Sequence, residues 1–156
     1  MTRTSYVHRK LLAIILMSLS ALVVQSLIAA PAGLVGELAP DFALRGVDGK
    51  NHRLSEFRSE VVVLSFWSDW CGQCDRVMPA LNVLHEQHAV DGLNVIAIDI
   101  DGKPGKAQQL VQKLSLGFPV LLDTTQQVSR LYDLNRLPVT LVIDREGSVR
   151  FVQKGF

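Results

Sequence analysis

The stretch Val61-Val62-Val63-Leu64-Ser65-Phe66-Trp67 constrains this chain more than any other. It is β-branched and aromatic, it is only seven residues long, and it has no polar face. A strand of that kind must be buried on both sides, which requires a sheet covered by layers above and below. Similar runs follow at Val95–Asp99, Pro119–Asp123 and Val139–Ile143, separated by stretches that read as helices. The helices are expected at Cys71–His88, with Val77, Leu81, Leu84 and His88 on one face and Pro79 as a kink, at Lys106–Leu116 ending near Gly117, and at Thr125–Tyr132. Asp144–Gly147 turns into a last strand at Val149–Val152. Phe42–Leu44 and His52–Leu54 flank the turn pair Asp48-Gly49 and read as a β-hairpin, with a helical turn at Leu54–Phe57. Strands alternating with helices give an α/β layer structure with parallel pairs, to which the hairpins add antiparallel ones.

The chain of 156 residues divides unevenly. Leu11–Ala30 is a 20-residue run without a charge, behind Arg3, Arg9 and Lys10. As a helix it would span about 30 Å, the thickness of a bilayer's hydrocarbon. The basic flank keeps residues 1–10 on the cytoplasmic side, so everything after Pro31 is exported. The length of the run favours an uncleaved signal-anchor; Ala29-Ala30-Pro31-Ala32-Gly33 also offers small residues suited to signal-peptide cleavage. The organisation expected is a basic tip and anchor over 1–30, a linker over 31–39 and a domain over 40–156. Residues 31–156 carry 13 basic and 15 acidic side chains. That balance gives no reason to expect a nucleic-acid partner, which would need clustered Lys and Arg.

Both cysteines lie in one Cys71-Gly72-Gln73-Cys74, after the buried strand and at the expected start of a helix. A thiolate is the reactive form of cysteine, and the unpaired N–H groups of a helix N-terminus favour it. Cys71 is then expected as the exposed nucleophile and Cys74 as the residue that resolves a mixed disulfide. A purely structural disulfide is the weaker alternative, because so small a loop restricts the unfolded chain least. His85 and His88 lie several turns along the helix and are expected at half-buried or solvated positions. Haem attachment requires His after the second cysteine, where this chain has Asp75.

Phe66-Trp67-Ser68-Asp69-Trp70-Cys71-Gly72-Gln73-Cys74 with Pro79 resembles the active-site segment of thioredoxins. Gly36–Phe42 and Leu137-Pro138-Val139-Thr140-Leu141-Val142-Ile143-Asp144 narrow the resemblance to the TlpA/ResA-like membrane-anchored thiol:disulfide oxidoreductases, over about residues 34–152. That resemblance implies a thioredoxin-like fold with a central mixed sheet flanked by helices, an N-terminal β-hairpin extension and an N-terminal transmembrane helix. It implies that Pro138 is a cis-proline facing Cys71 and Cys74, that Leu137 touches substrate, and that Trp70 is an aromatic flap beside Cys71. It implies no metal and no cofactor beyond the redox-active cysteine pair. The partners implied are a disulfide-bearing exported protein, such as apocytochrome c, and a membrane thiol electron-transfer donor. The site would lie on the periplasmic or extracytoplasmic side.

The chain departs from the pattern in three places. Ser65 stands where thioredoxins carry a buried Asp, and Val77 where many ResA-like members carry a Glu. No general base is therefore assigned, and Asp69 and Asp75 are expected to be exposed. The family also adds a helix after the last strand, which is missing from this sequence. Two other functions compete. The segment Ala39–Trp67 is similar to the start of peroxiredoxins, but Leu64 and Ser68 replace the Pro and Thr of their nucleophile motif. A Cu(I) chaperone would need a third soft ligand, for which Met78 is the nearby candidate.

Overall fold

A computed structural model describes residues 33–155, which belong to one compact unit. The expected signal-anchor lies outside the described residues. Among those residues no helix is long and apolar enough to cross a membrane.

Seven strands form one mixed sheet: β1 (Ala43–Gly46), β2 (Asn51–Arg53), β3 (Val61–Trp67), β4 (Leu93–Asp99), β5 (Val120–Leu122), β6 (Val139–Ile143) and β7 (Val149–Lys154). Their spatial order is β2-β1-β5-β4-β3-β6-β7. The β3, β4 and β5 strands run parallel, and the other neighbours are antiparallel. Among the described residues three α-helices complete the fold: α1 (Cys74–His88), α2 (Pro104–Leu114) and α3 (Gln127–Leu131). This is the thioredoxin-like α/β arrangement that the sequence implied.

The β3 strand is central, and its alternation separates two cores. Val62, Leu64 and Phe66 face a layer made by Phe42, Leu54, Val128 and Tyr132. Val63 and Trp67 face the layer of α1 and α2, with Met78, Leu81 and Ala107. Each fully buried side chain of this size contributes about 1.5–3 kcal/mol, so the apolar run of β3 holds both layers to one sheet. In the centre, Ser65 is buried and shares a hydrogen bond with Thr140 across the β3–β6 pair, 3.1 Å between the hydroxyl oxygens.

The hairpin forms where expected, with Gly49 at φ +80° in its turn. Its β1 strand docks antiparallel on β5 and extends the sheet beyond the parallel strands. Leu54–Phe57 is a single 3-10 turn. Several helix boundaries differ from those expected, and α3 is shorter than Thr125–Tyr132 at both ends. The first helix begins at Cys74, because Cys71-Gly72-Gln73 is spent in a turn closed by the Cys74 N–H donating to the Cys71 carbonyl (2.9 Å). The α2 helix begins at Pro104 in its first turn, where proline costs nothing. It ends when Ser115 takes the left-handed conformation (φ +50°), not at Gly117. Gly117 instead donates its N–H to Asn82 Oδ1 (2.9 Å). Beyond β7 no further helix occurs among the described residues, and Phe151 lies exposed on the last strand.

Candidate redox site

The ends of β3 and β4 build the site. Both strands run in the same direction, so their C-terminal ends meet, and Trp67 and Asp99 are register partners there. Ser68, Asp69 and Trp70 carry the chain from β3 into Cys71. The turn is fixed by the Cys71 N–H donating to the Ser68 carbonyl (3.3 Å).

Cys71 and Cys74 are joined by a disulfide, with Cα atoms 5.4 Å apart. Cys71 is 7% exposed and precedes α1; Cys74 is 1% exposed and is the first residue of the helix. Both cysteines are buried in the oxidised pair, so Cys71 is not the exposed side chain that the sequence suggested, because it packs with Trp67 and Met78 in the core beneath α1. Behind them lie Met78 and Trp67, both buried. Met78, the third soft ligand a Cu(I) chaperone would need, packs in the same core as the two cysteines.

The Leu137–Pro138 peptide is cis. Leu137 packs partly buried against the same core that holds Cys71 and Cys74, and Pro138 is buried just before β6. The Pro138 carbonyl accepts from the Gly155 N–H (2.8 Å). Leu137 also packs against the core on the other face of the sheet, so it bridges the two layers. Trp70 is 66% exposed, and its Nε1–H donates to Asp101 Oδ1 (3.0 Å). The two tryptophans have opposite settings: Trp67 is buried, and its Nε1–H finds no acceptor among the described residues. Ser68 likewise has a buried hydroxyl without a partner.

One buried carboxylate near this site was missed in the sequence. Asp99 reads as the polar end of a strand, yet it is 1% exposed. Burial pushes its pKa up to about 6, and the charges of Asp101 and Asp69 add to the rise. The N–H groups of Asp101 (2.9 Å) and Lys103 (3.3 Å) donate to its two oxygens and oppose that rise. The parallel register of β3 and β4 places Asp99 beside Trp67, and the sequence carries no local signal of that pairing. Asp69 is exposed, as expected. His85 is half-buried against the Phe118 ring, with centroids 5.9 Å apart, and His88 is exposed beside Asp91.

Residues 35–152 match the AhpC/TSA family. The chain is 34% identical over 121 residues to the "Thiol-disulfide oxidoreductase ResA" of Geobacillus thermodenitrificans, covering 78% of this chain and 70% of that protein. It is 32% identical over 120 residues to the protein of the same name from Bacillus subtilis, covering 77% and 67%. Among solved structures, that of a putative thiol:disulfide interchange protein DsbE from Chlorobium tepidum superposes with a TM-score of 0.74 at 36% identity, covering 78% of this chain and 86% of that one.

Proposed function

We propose, from the premise that this chain belongs to the AhpC/TSA family and is a thiol–disulfide oxidoreductase, that it works as a membrane-tethered reductase of disulfides in exported proteins. Apocytochrome c is the substrate that the sequence resemblance suggests. The observation that supports the reading most is the disulfide that joins two cysteines within one turn at the head of α1.

In the reduced enzyme the Cys71 thiolate attacks one sulfur of a substrate disulfide. A bond forms between Cys71 Sγ and that sulfur, the substrate S–S bond breaks, and the departing thiolate takes a proton from solvent. Cys74 then loses its proton and attacks Cys71 Sγ. The second substrate thiol leaves, and the Cys71–Cys74 disulfide closes. Two electrons have passed from the enzyme's dithiol to the substrate. A membrane thiol electron-transfer protein returns them in a second exchange. An oxidising compartment already holds oxidants, so a tethered dithiol there is more useful as a reductant. Trp70, Leu137 and Pro138 would line the approach to Cys71, with Leu137 and Pro138 bordering an extended substrate segment.

Trapping tests the reading. Cys74→Ser should hold substrate on Cys71 as a mixed disulfide, which mass spectrometry would identify. The soluble domain should reduce insulin with a thiol donor, and Cys71→Ser should not. Full insulin reduction by Cys71→Ser would overturn the assignment.

A further inference from the structure

We infer that a cavity between the end of β4 and α3 is a subsite for a basic side chain of the substrate. The protein then selects disulfides in segments that carry Lys or Arg near the cysteine, and Asp133 sets that preference. The inference rests on the redox reading of Cys71 and Cys74.

The cavity has a volume of about 260 Å³ and is lined by Ile100, Gln126, Ser129, Arg130, Asp133 and Leu134. Ligand pockets run to about 300–1,000 Å³, so this one suits a single long side chain. It lies at the end of the sheet that carries the redox pair. Ile100 follows β4, and its N–H donates to the Trp67 carbonyl (3.0 Å). Leu134 comes shortly before Leu137, and both pack against the same core. A segment bound along Leu137 and Pro138 therefore has the cavity on its flank.

The backbone on both sides of α3 shapes the opening. Gln126 and Asp133 stand before and after the helix, and both are left-handed without being glycine (φ +55° and +48°). Such residues persist only where their surroundings hold them, and they gather at functional sites. Gln126 Nε2–H donates to the Ile100 carbonyl (3.5 Å), which ties the entry of α3 to the end of β4.

The lining matches a cation on a hydrocarbon stem. Ile100 and Leu134 are half-buried and offer apolar carbon. A Lys or Arg stem packs on such carbon while its charged head stays at the wet rim. At the rim Asp133 is exposed, and among the described residues its side chain has no hydrogen bond or ion pair. Behind the wall, the Ser129 N–H and hydroxyl both donate to Asp123 Oδ2 (2.8 Å each), so a second acidic side chain backs the cavity. Arg130 is the opposing cation of the lining. Its Nη2–H donates to the Thr125 carbonyl (2.8 Å), which draws the guanidinium toward the start of α3. Lys103 faces Asp69 instead (3.5 Å).

The test gives the full chain pairs of blocked cystine peptides that differ only in Lys or norleucine. The varied position is stepped residue by residue along both flanks of the cysteine. At one or more positions kcat/KM should favour the lysine peptide about fivefold, the scale of a partly exposed ion pair. Asp133→Asn should bring that ratio close to one; asparagine accepts the left-handed backbone as readily as aspartate, so the fold is kept. Arg130→Gln should move the ratio the other way and raise it. No lysine preference at any position, a preference untouched by Asp133→Asn, or one lowered by Arg130→Gln would overturn the inference. Binding is read apart from turnover. The same lysine peptides with serine in place of cysteine should shift the amide resonances of Ile100, Ser129 and Leu134, and should do so far less in Asp133→Asn. Absence of those shifts sinks the subsite. Shifts in a protein that reduces none of the cystine peptides sink the redox reading and leave the cavity's preference for a cation standing.

Discussion

Trp67 and Asp99 are register partners at the C-terminal ends of β3 and β4, and both are buried there. The carboxyl of Asp99 titrates near pH 6 because burial disfavours its charged form. In the unfolded chain it titrates near 3.8. Between those values the folded protein binds the extra proton, so raising the pH destabilises it. Measured as thermal stability relative to Asp99→Asn, the wild type should lose up to about 3 kcal/mol between pH 4 and pH 7. A difference independent of pH over that range would show that Asp99 does not titrate there.

The placement of the two cysteines gives a second expectation, with Cys71 in the turn before α1 and Cys74 enclosed as the first residue of the helix. After reduction, iodoacetamide should alkylate Cys71 at least about tenfold faster than Cys74, since reactivity follows thiolate character and exposure. Peptide mapping after timed alkylation reads the ratio. Equal rates would contradict the division of roles between the two residues.

Tyr132 ties the outer layer to the N-terminal segment. Its buried hydroxyl donates to the Pro40 carbonyl at 2.7 Å, while its ring sits 5.2 Å from Phe66 and 6.2 Å from Phe42. Tyr132→Phe keeps the ring and strands the carbonyl, so it should cost about 1–2 kcal/mol. Tm should fall by about 2–8 °C, with insulin reduction retained per folded molecule.

Gly102→Ala places a side chain at positive φ and against Thr124. Strain of this kind costs about 1–3 kcal/mol. Calorimetry should therefore show a lower Tm. The same variant should loosen the Asp101 turn and speed exchange of the Trp70 indole N–H.

Much of the fold was legible because one physical demand repeats. Each buried strand is a short apolar run, and β6 was read to the residue as Val139–Ile143. The cysteine pair was legible from its place after β3. What escaped was decided by partners distant in sequence. Asp99 looks like any strand-ending acid until β3 lies beside it. Gly117 looks like a helix terminator, but Asn82 on α1 holds it and Ser115 ends α2 instead. The docking of β1 on β5 depends on pairing across 70-odd residues of chain, which local periodicity does not encode. The Trp70–Asp101 hydrogen bond spans 31 residues.

The Cys71–Cys74 bridge spans a sequence separation of three. Closing so small a ring removes little freedom from the unfolded chain, roughly 2 kcal/mol against about 4.7 for a loop of a hundred residues. The two cores around β3 contribute most of what holds the domain. Donating electrons therefore need not cost the molecule its shape: the scaffold is largely indifferent to the state of its own bridge. The enzyme can be emptied and refilled with electrons repeatedly, and its driving force is set by the few atoms around two sulfurs, not by the stability of the whole.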